Sequence, residues 1–140
     1  MIGKDMEKIL EYKFITIHTP LITSLKGPGQ KMSKSIPGSG ISVTDSEEEI
    51  KKSISQAFCP LKENKDNPIL QISRLILFPH LKKIEISRPA KFGGDKTYKD
   101  YKELEKDYLA EKLHPADLKN AVASALEKII APIRKEYGKN

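Results

Sequence analysis

The sequence predicts a mainly α-helical protein with short strands, and three features carry that expectation. Apolar residues recur at helical spacing in four stretches, around residues 50–58, 69–76, 101–109 and 118–133. Alternation of apolar and charged residues is confined to short runs such as Ile84 and Ile86. Only Lys13-Phe14-Ile15-Thr16-Ile17-His18 is apolar nearly throughout, the pattern of a parallel strand buried in an α/β sheet.

Residues 3–11 form a short charged stretch with Met6, Ile9 and Leu10 at helical spacing, and the strand ending at His18 follows. One strand makes no sheet, so its partners come from elsewhere or it is the severed end of a larger fold. Residues 26–40 hold four of the eight glycines and are expected to form an exposed, mobile loop. Ser46 and Glu49 match a capping box, after which Ile50, Ile54, Ala57 and Phe58 give one apolar helical face until Cys59-Pro60 stops it. Asn67-Pro68 reads as an N-cap with proline at the first helical position, opening a helix lined by Ile69, Ile72, Leu75 and Ile76 that Pro79 is expected to terminate. Ile84 and Ile86 mark a half-buried strand, Phe92-Gly93-Gly94-Asp95 a turn, and Lys96-Thr97-Tyr98 the return strand. Tyr101, Leu104, Tyr108 and Leu109 mark a short helix. The last helix starts at His114-Pro115 and carries the longest stripe, Leu118 to Ile133, with Pro132 near its end. No internal repeat is present. The expected division is 1–60, with the isolated strand, loop and connecting helix, and 61–140, a small helical unit with a β-hairpin.

Composition narrows the function. The chain has 140 residues, 38% hydrophobic and 31% charged, enough for one ordinary domain or two small ones. No apolar run approaches the ~18 residues of a membrane span, and the charged N-terminus lacks the apolar core of a signal peptide, so no membrane association and a cytoplasmic location are expected. A single cysteine, Cys59, excludes an internal disulfide framework and a Cys-rich zinc site, and no metal site is expected. The net charge is +6, with 8 basic and 7 acidic groups in 1–60 against 17 and 12 in 61–140. A basic second half favours polyanions, nucleic acid above all, although a lysine-rich solvated surface gives the same composition.

Lys31-Met32-Ser33-Lys34-Ser35 carries the most specific chemistry. Two lysines three apart, separated by hydroxylated residues and set among glycines, suit a pyrophosphate-like anion: ammonium groups supply charge, hydroxyls and backbone N–H groups supply donors. Charge set against a leaving pyrophosphate accelerates adenylate formation because its stabilisation grows in the transition state. No Walker-type Gly-Lys-Ser/Thr follows the strand, so a P-loop is excluded.

These five residues are the KMSKS signature of class I aminoacyl-tRNA synthetases, and the surroundings resemble the archaeal and eukaryotic type of tyrosyl-tRNA synthetase. The likeness runs through Ile17-His18-Thr19-Pro20-Leu21-Ile22-Thr23, Ala57-Phe58-Cys59-Pro60, Arg88-Pro89-Ala90-Lys91-Phe92-Gly93-Gly94-Asp95 and Leu113-His114-Pro115-Ala116-Asp117-Leu118-Lys119-Asn120-Ala121-Val122. These blocks span almost the whole chain in the family's order and spacing. The resemblance implies the last strand and KMSKS loop of a Rossmann-type catalytic domain, then a helical anticodon-binding domain with a β-hairpin, together the C-terminal part of such an enzyme.

It further implies that Lys31, Met32, Ser33, Lys34 and Ser35 bind ATP, carrying Mg2+ through the nucleotide, with Lys31 and Lys34 as the catalytic charge donors. Phe92 would stack on an anticodon base of tRNA-Tyr, His114 and Asp117 would hydrogen-bond base edges, and Cys59, Pro60 and Ala116 would line the same site. On residue chemistry alone, Phe92 can equally pack under its hairpin turn. His114 is also placed to be an N-cap, Asp117 to favour the helix dipole, and Cys59 to be a small buried hydrophobe. His80 reads as surface.

The family's HIGH-type histidine pair and its tyrosine pocket have no counterpart here; His18, His80 and His114 form no such motif. Such a chain is expected to be inactive alone and to catalyse tyrosine–tRNA ligation only with the enzyme's N-terminal half. The alternatives are a free-standing tRNA-binding module without catalysis, and a general polyanion-binding protein whose KMSKS match is accidental.

Overall fold

The computed structural model describes residues 20–33 and 35–137. The sequence-predicted helix at 3–11 and strand at 13–18 lie outside the described residues, as does Lys34.

Irregular chain over the described residues 20–33 and 35–46 leads into helix α1 (Glu47–Gln56). Its start is the expected capping box: Ser46 Oγ accepts from the Glu49 N–H at 3.3 Å, and Glu49 Oε2 accepts from the Ser46 N–H at 2.7 Å. Helix α1 ends before Ala57 rather than at Cys59-Pro60, because the Phe58 N–H turns to the Leu25 carbonyl at 2.6 Å and leaves the helical ladder.

Helix α2 (Pro68–Ile72) begins as expected, with Asn67 Oδ1 accepting from the N–H groups of Ile69 and Leu70 at 3.1 and 3.3 Å. The expected stop at Pro79 is not observed. The chain passes through a π-helical turn (Ser73–Leu77) into helix α3 (Phe78–Leu81), with Pro79 inside it. The Phe78 N–H reaches back five residues to the Ser73 carbonyl. That wider turn relieves the clash a proline ring makes with the carbonyl four residues before it. The helix stops at Lys82, which is left-handed at φ 63°.

Strands β1 (Ile84–Ile86) and β2 (Lys96–Tyr98) pair antiparallel, with Ile84 opposite Tyr98 and Ile86 opposite Lys96. The alternation is kept: Ile84 and Ile86 are buried and Glu85 is exposed. Between them lies a single 3-10 turn (Ala90–Phe92). Helix α4 (Tyr101–Leu109) is capped by Asp100, and helix α5 (Pro115–Tyr137) closes the described chain with Pro132 inside it. The apolar stripe of α5 ends one turn earlier than expected: Ile130 is buried but Ile133 is 38% exposed.

One continuous core runs through all of these elements. Ile50 and Ile54 of α1, Ile69, Leu70 and Ile72 of α2, the two isoleucines of β1 and Leu104 and Tyr108 of α4 surround Leu118, Val122 and Leu126 of α5. Leu25 from the N-terminal coil joins the same cluster. Each fully buried Leu or Ile contributes ~1.5–3 kcal/mol, so α5, which packs on α1, α2 and β1, is the spine of the fold.

Asp107 is the core's one acidic residue among those described. Its Oδ2 takes the Lys96 ammonium at 2.6 Å and the Tyr98 hydroxyl at 2.9 Å. The Lys96 hydrogen bond holds the Asp107 carboxyl below the usual carboxylate range against the opposing effect of burial. Burial first, then the bond to Asp107, pushes the Tyr98 phenol up to about 12. Because the folded Asp107 binds its proton less readily than the unfolded chain, its contribution is complete above the unfolded value near ~4 and is lost as pH falls through the folded one. Asp107→Asn is therefore expected to lower stability by about 2 kcal/mol at neutral pH, the scale of hydrogen bonds to a charged group. Urea midpoints of wild type and variant should converge as the solution is acidified; a gap that persists in strong acid would contradict this account.

Candidate functional site

Two groups of sequence-predicted residues occupy different parts of the surface. The first is the loop that carries Lys31, Met32, Ser33 and Ser35, whose backbone is bonded to its own flanks. Thr23 faces Lys31 in an isolated antiparallel bridge, and the Ser24 N–H donates to the Gln30 carbonyl at 2.9 Å. Buried Ser39 latches the far side: its hydroxyl donates to the Ser33 carbonyl at 2.5 Å and accepts from the Ser33 N–H at 3.1 Å. Gly27 is left-handed at φ 114°, and a Cβ there would lie 3.2 Å from the Phe58 ring, so this turn requires glycine. Lys31 and Ser35 are exposed, while Met32 and Ser33 are half-buried. The Ser35 N–H points to the Ser33 hydroxyl at 3.3 Å. A cleft beside the loop is lined by Met32, Ser33, Ile36, Gly40, Asp45 and Glu49.

The second group gathers around the five-residue connection 110–114 between α4 and α5. Phe92 is 60% exposed, so it does not pack beneath its turn. The Lys91 ammonium lies 4.9 Å from its ring centre. Gly93 and Gly94 follow at φ 97° and 68°, and a Cβ on Gly93 would meet the Arg88 guanidinium at 3.2 Å. Arg88 sets the turn in place: Nε donates to the Gly94 carbonyl at 2.8 Å and Nη1 to the Lys112 carbonyl at 2.6 Å. Asp95 Oδ1 accepts from the Arg88 N–H at 2.9 Å and the Ser87 hydroxyl at 3.1 Å.

His114 is exposed, and its Nδ1 accepts from the Ala116 N–H at 3.2 Å, so it does cap α5. Asp117 sits half-buried in the first turn of α5. Cys59 is half-buried, with Sγ 3.2 Å from the Tyr108 hydroxyl; burial pushes its thiol up, against the effect of that bond. The Tyr108 hydroxyl donates to the Pro60 carbonyl at 2.6 Å. Lys62 and Glu111, both left-handed at φ 58° and 60°, form an ion pair at 3.0 Å that joins the segment after Pro60 to the 110–114 connection. The Phe92 turn is thus tied to that connection through Arg88, Cys59 and Pro60 are tied to the end of α4 through Tyr108, and His114 ends the connection.

Arg88, Tyr108 and the Lys62–Glu111 pair hold this surface, and residue-by-residue reading missed them in that role. Arg88 stood only as a member of its block and Tyr108 only as an apolar helix position. Their partners are 24 and 48 residues distant, beyond any local pattern. His80 is exposed as expected. Among the described residues, no group of three or more His, Cys, Asp or Glu gathers to hold a metal ion, and no helix is long and apolar enough to cross a membrane.

The chain belongs to the class I tRNA synthetases (W and Y), whose family model it matches over residues 3–131. Within that class its relatives are tyrosyl-tRNA synthetases. Tyrosine--tRNA ligase of Aeropyrum pernix is 43% identical over 151 residues, covering 96% of this chain and 42% of that protein. Its namesake from Saccharolobus solfataricus is 42% identical, covering 99% and 43%. Among solved structures, tyrosyl-tRNA synthetase from Aeropyrum pernix superposes with a TM-score of 0.82 at 42% identity, over 93% of this chain and 38% of that one. The Archaeoglobus fulgidus enzyme, complexed with L-tyrosine, gives 0.85 at 40% identity, over 95% and 41%. The chain therefore spans less than half the length of the relatives it matches.

Ser39→Ala is expected to accelerate amide exchange at Ser33 about tenfold or more, since it deletes two bonds to that residue worth ~1 kcal/mol each. Exchange in α5 should stay unchanged; an unaltered Ser33 rate would remove Ser39 as the latch.

Proposed function

We propose that this chain supplies two activities to a tyrosyl-tRNA synthetase: a grip on the phosphates of ATP through Lys31–Ser35, and recognition of the tRNA-Tyr anticodon through residues 59–60, 92 and 114–117. The observation that carries the reading is Phe92, a solvent-exposed aromatic ring on a turn that Arg88 ties to the connection leading into His114.

In the first activity, Lys31 and Lys34 supply positive charge to the triphosphate, and Met32, Ser33 and Ser35 complete the lip. Mg2+ arrives as part of the nucleotide substrate. As the tyrosine carboxylate attacks the α-phosphate, negative charge grows on the departing pyrophosphate. Ammonium groups and hydroxyl donors brought against that charge stabilise it more in the transition state than in the ground state. Exposure of Lys31 and the donors of Ser33 and Ser35 supports the role. The tyrosine pocket and the opposing histidine motif belong to the N-terminal half of the enzyme, the partner this reading requires. Residues 1–60, apart from Cys59 and Pro60, serve the catalytic end and 61–140 the RNA end, in the cytoplasm.

In the second activity, an unstacked anticodon base lies on Phe92, and His114 and Asp117 address base edges. Capping leaves His114 Nε2 free to reach RNA, since only Nδ1 is engaged by the Ala116 N–H. Cys59 and Pro60 form the wall behind, fixed by Tyr108.

Phe92→Ala should weaken binding of the tRNA-Tyr anticodon stem-loop by ~1–3 kcal/mol, the worth of a stacked base, while Phe92→Tyr retains it. Titrations at several salt concentrations should show steep salt dependence, and an anticodon-swapped stem-loop should bind more weakly. Equal binding of both stem-loops would contradict base readout. The chain alone is expected to give no ATP–pyrophosphate exchange, and exchange should return on mixing with the N-terminal half. In that mixture Lys31→Ala and Lys34→Ala should each slow exchange and leave stem-loop affinity intact; joint loss would instead indicate unfolding.

A further inference from the structure

One side chain of helix α2 hydrogen-bonds to the Lys31 loop. The Gln71 amide makes two hydrogen bonds to a single residue 48 positions earlier: Oε1 accepts from the Thr23 N–H at 2.7 Å, and Nε2 donates to Thr23 Oγ1 at 3.1 Å. Among the described residues, no other side-chain hydrogen bond or ion pair joins residues 20–45 to the rest of the chain. Thr23 is also the residue that faces Lys31 across the isolated bridge. The Ser24–Gln30 bond at 2.9 Å adjoins that bridge within the loop. What Gln71 holds is therefore the residue that sets the register of Lys31.

The other end of α2 is anchored at the second surface. Asn67 caps the helix, its Nδ2 lies 3.7 Å from Cys59 Sγ, and it donates to the Glu63 carbonyl at 3.1 Å. The Gln71 N–H bonds the Asn67 carbonyl at 3.0 Å, one helical turn back. A single turn of helix thus separates the residue touching Cys59 from the residue clasping Thr23.

We propose that Gln71 is a positioning residue for the phosphate step: it fixes the Thr23–Lys31 bridge, and so the origin of the Lys31 side chain, on the helical body of the molecule. This rests on the reading of Lys31–Ser35 as the ATP-phosphate lip. The chemistry is selective. A primary amide meets the Thr23 N–H with an acceptor and the Thr23 hydroxyl with a donor. A carboxylate also serves, because the hydroxyl can turn to donate. A leucine of similar size fills the space but leaves the Thr23 N–H without its acceptor.

Hydrogen exchange on the intact chain tests the clasp, and titration with inorganic pyrophosphate in magnesium buffer tests its consequence. In Gln71→Leu, peptides covering 21–33 should exchange about tenfold faster while α5 is unchanged, and pyrophosphate should bind about tenfold more weakly. Gln71→Glu should keep wild-type exchange. Adding Thr23→Val to Gln71→Leu should change little, since both act on one contact. Unchanged exchange in 21–33, acceleration shared equally by α5, or undiminished pyrophosphate affinity would each overturn the proposal. If Gln71→Leu does not fold, Thr23→Val alone, which removes one of the two bonds, carries the same comparison with smaller changes. Absence of pyrophosphate binding by the wild-type chain would overturn the phosphate reading itself, and is seen before any variant is made.

Discussion

The end of helix α4 must bury a carboxylate and a phenol side by side, and the surface that carries Phe92 and His114 is arranged by how they are satisfied. A charge with 9% exposure persists only when paired and hydrogen-bonded. Asp107 meets that demand through Lys96 and Tyr98, which ties α4 to strand β2. Its own carbonyl takes the N–H groups of Lys112 and Leu113, which curls the chain tightly after the helix. Tyr108, one residue on, reaches the opposite way to Pro60. Hairpin, connection and the segment after α1 therefore share one seat. Arg88 extends that seat to the Phe92 turn through the Lys112 carbonyl.

What was legible in the sequence is what physics keeps local. The capping box of Ser46 and Glu49, the Asn67-Pro68 start and the parity of Ile84 and Ile86 each depend on residues within four positions, and each is present as expected. Pro79 misleads because the usual stop signal assumes an α-helical register. A π turn just before it changes the register, and its hydrogen bonds leave no mark in apolar spacing. Phe92 was ambiguous for a different reason: an aromatic residue before two glycines reads the same whether it packs under the turn or projects from it. Only the position of Arg88, which occupies the space beside Gly93, decides that. Gln71 carried no signal, because its significance lies wholly in Thr23, far along the chain.

The two surfaces differ in how they are built, and the difference suits their proposed tasks. The RNA-facing group rests on core side chains and on an arginine with a fork of backbone acceptors, so its parts hold fixed relative positions. The Lys31 loop rests on its own hydrogen bonds and on a few outside attachments: Leu25 enters the core, Ile22, Met32 and Ile41 pack against it, the Leu25 carbonyl bonds Phe58, and Gln71 clasps Thr23. A segment of that kind can adjust at Lys31–Ser35 while its base keeps register. That is what a grip tightening on a departing phosphate requires.

Charge placement carries the same division. Among the described residues, five basic side chains are paired with carboxylates: Lys51 with Glu47, Lys83 with Glu85, Lys62 with Glu111, Lys96 with Glu103 and Asp107, and Arg134 with Glu127 through two bonds. Exposed pairs of this sort add little stability, but each cancels one positive charge. Among the described residues no carboxylate lies within ion-pair distance of Lys31 or Lys91. The acids of the cleft beside the loop are also engaged. Glu49 accepts from Ser46 at the start of α1, where the helix dipole favours an anion, and Asp45 accepts from the Ser42 N–H at 2.8 Å. Lys91 lies against the Phe92 ring, so a base stacked on that ring brings its phosphate near a cation with no competing acid. In the proposed reading, Lys31 and Lys91 each present an uncancelled positive charge where a polyanion is to be held.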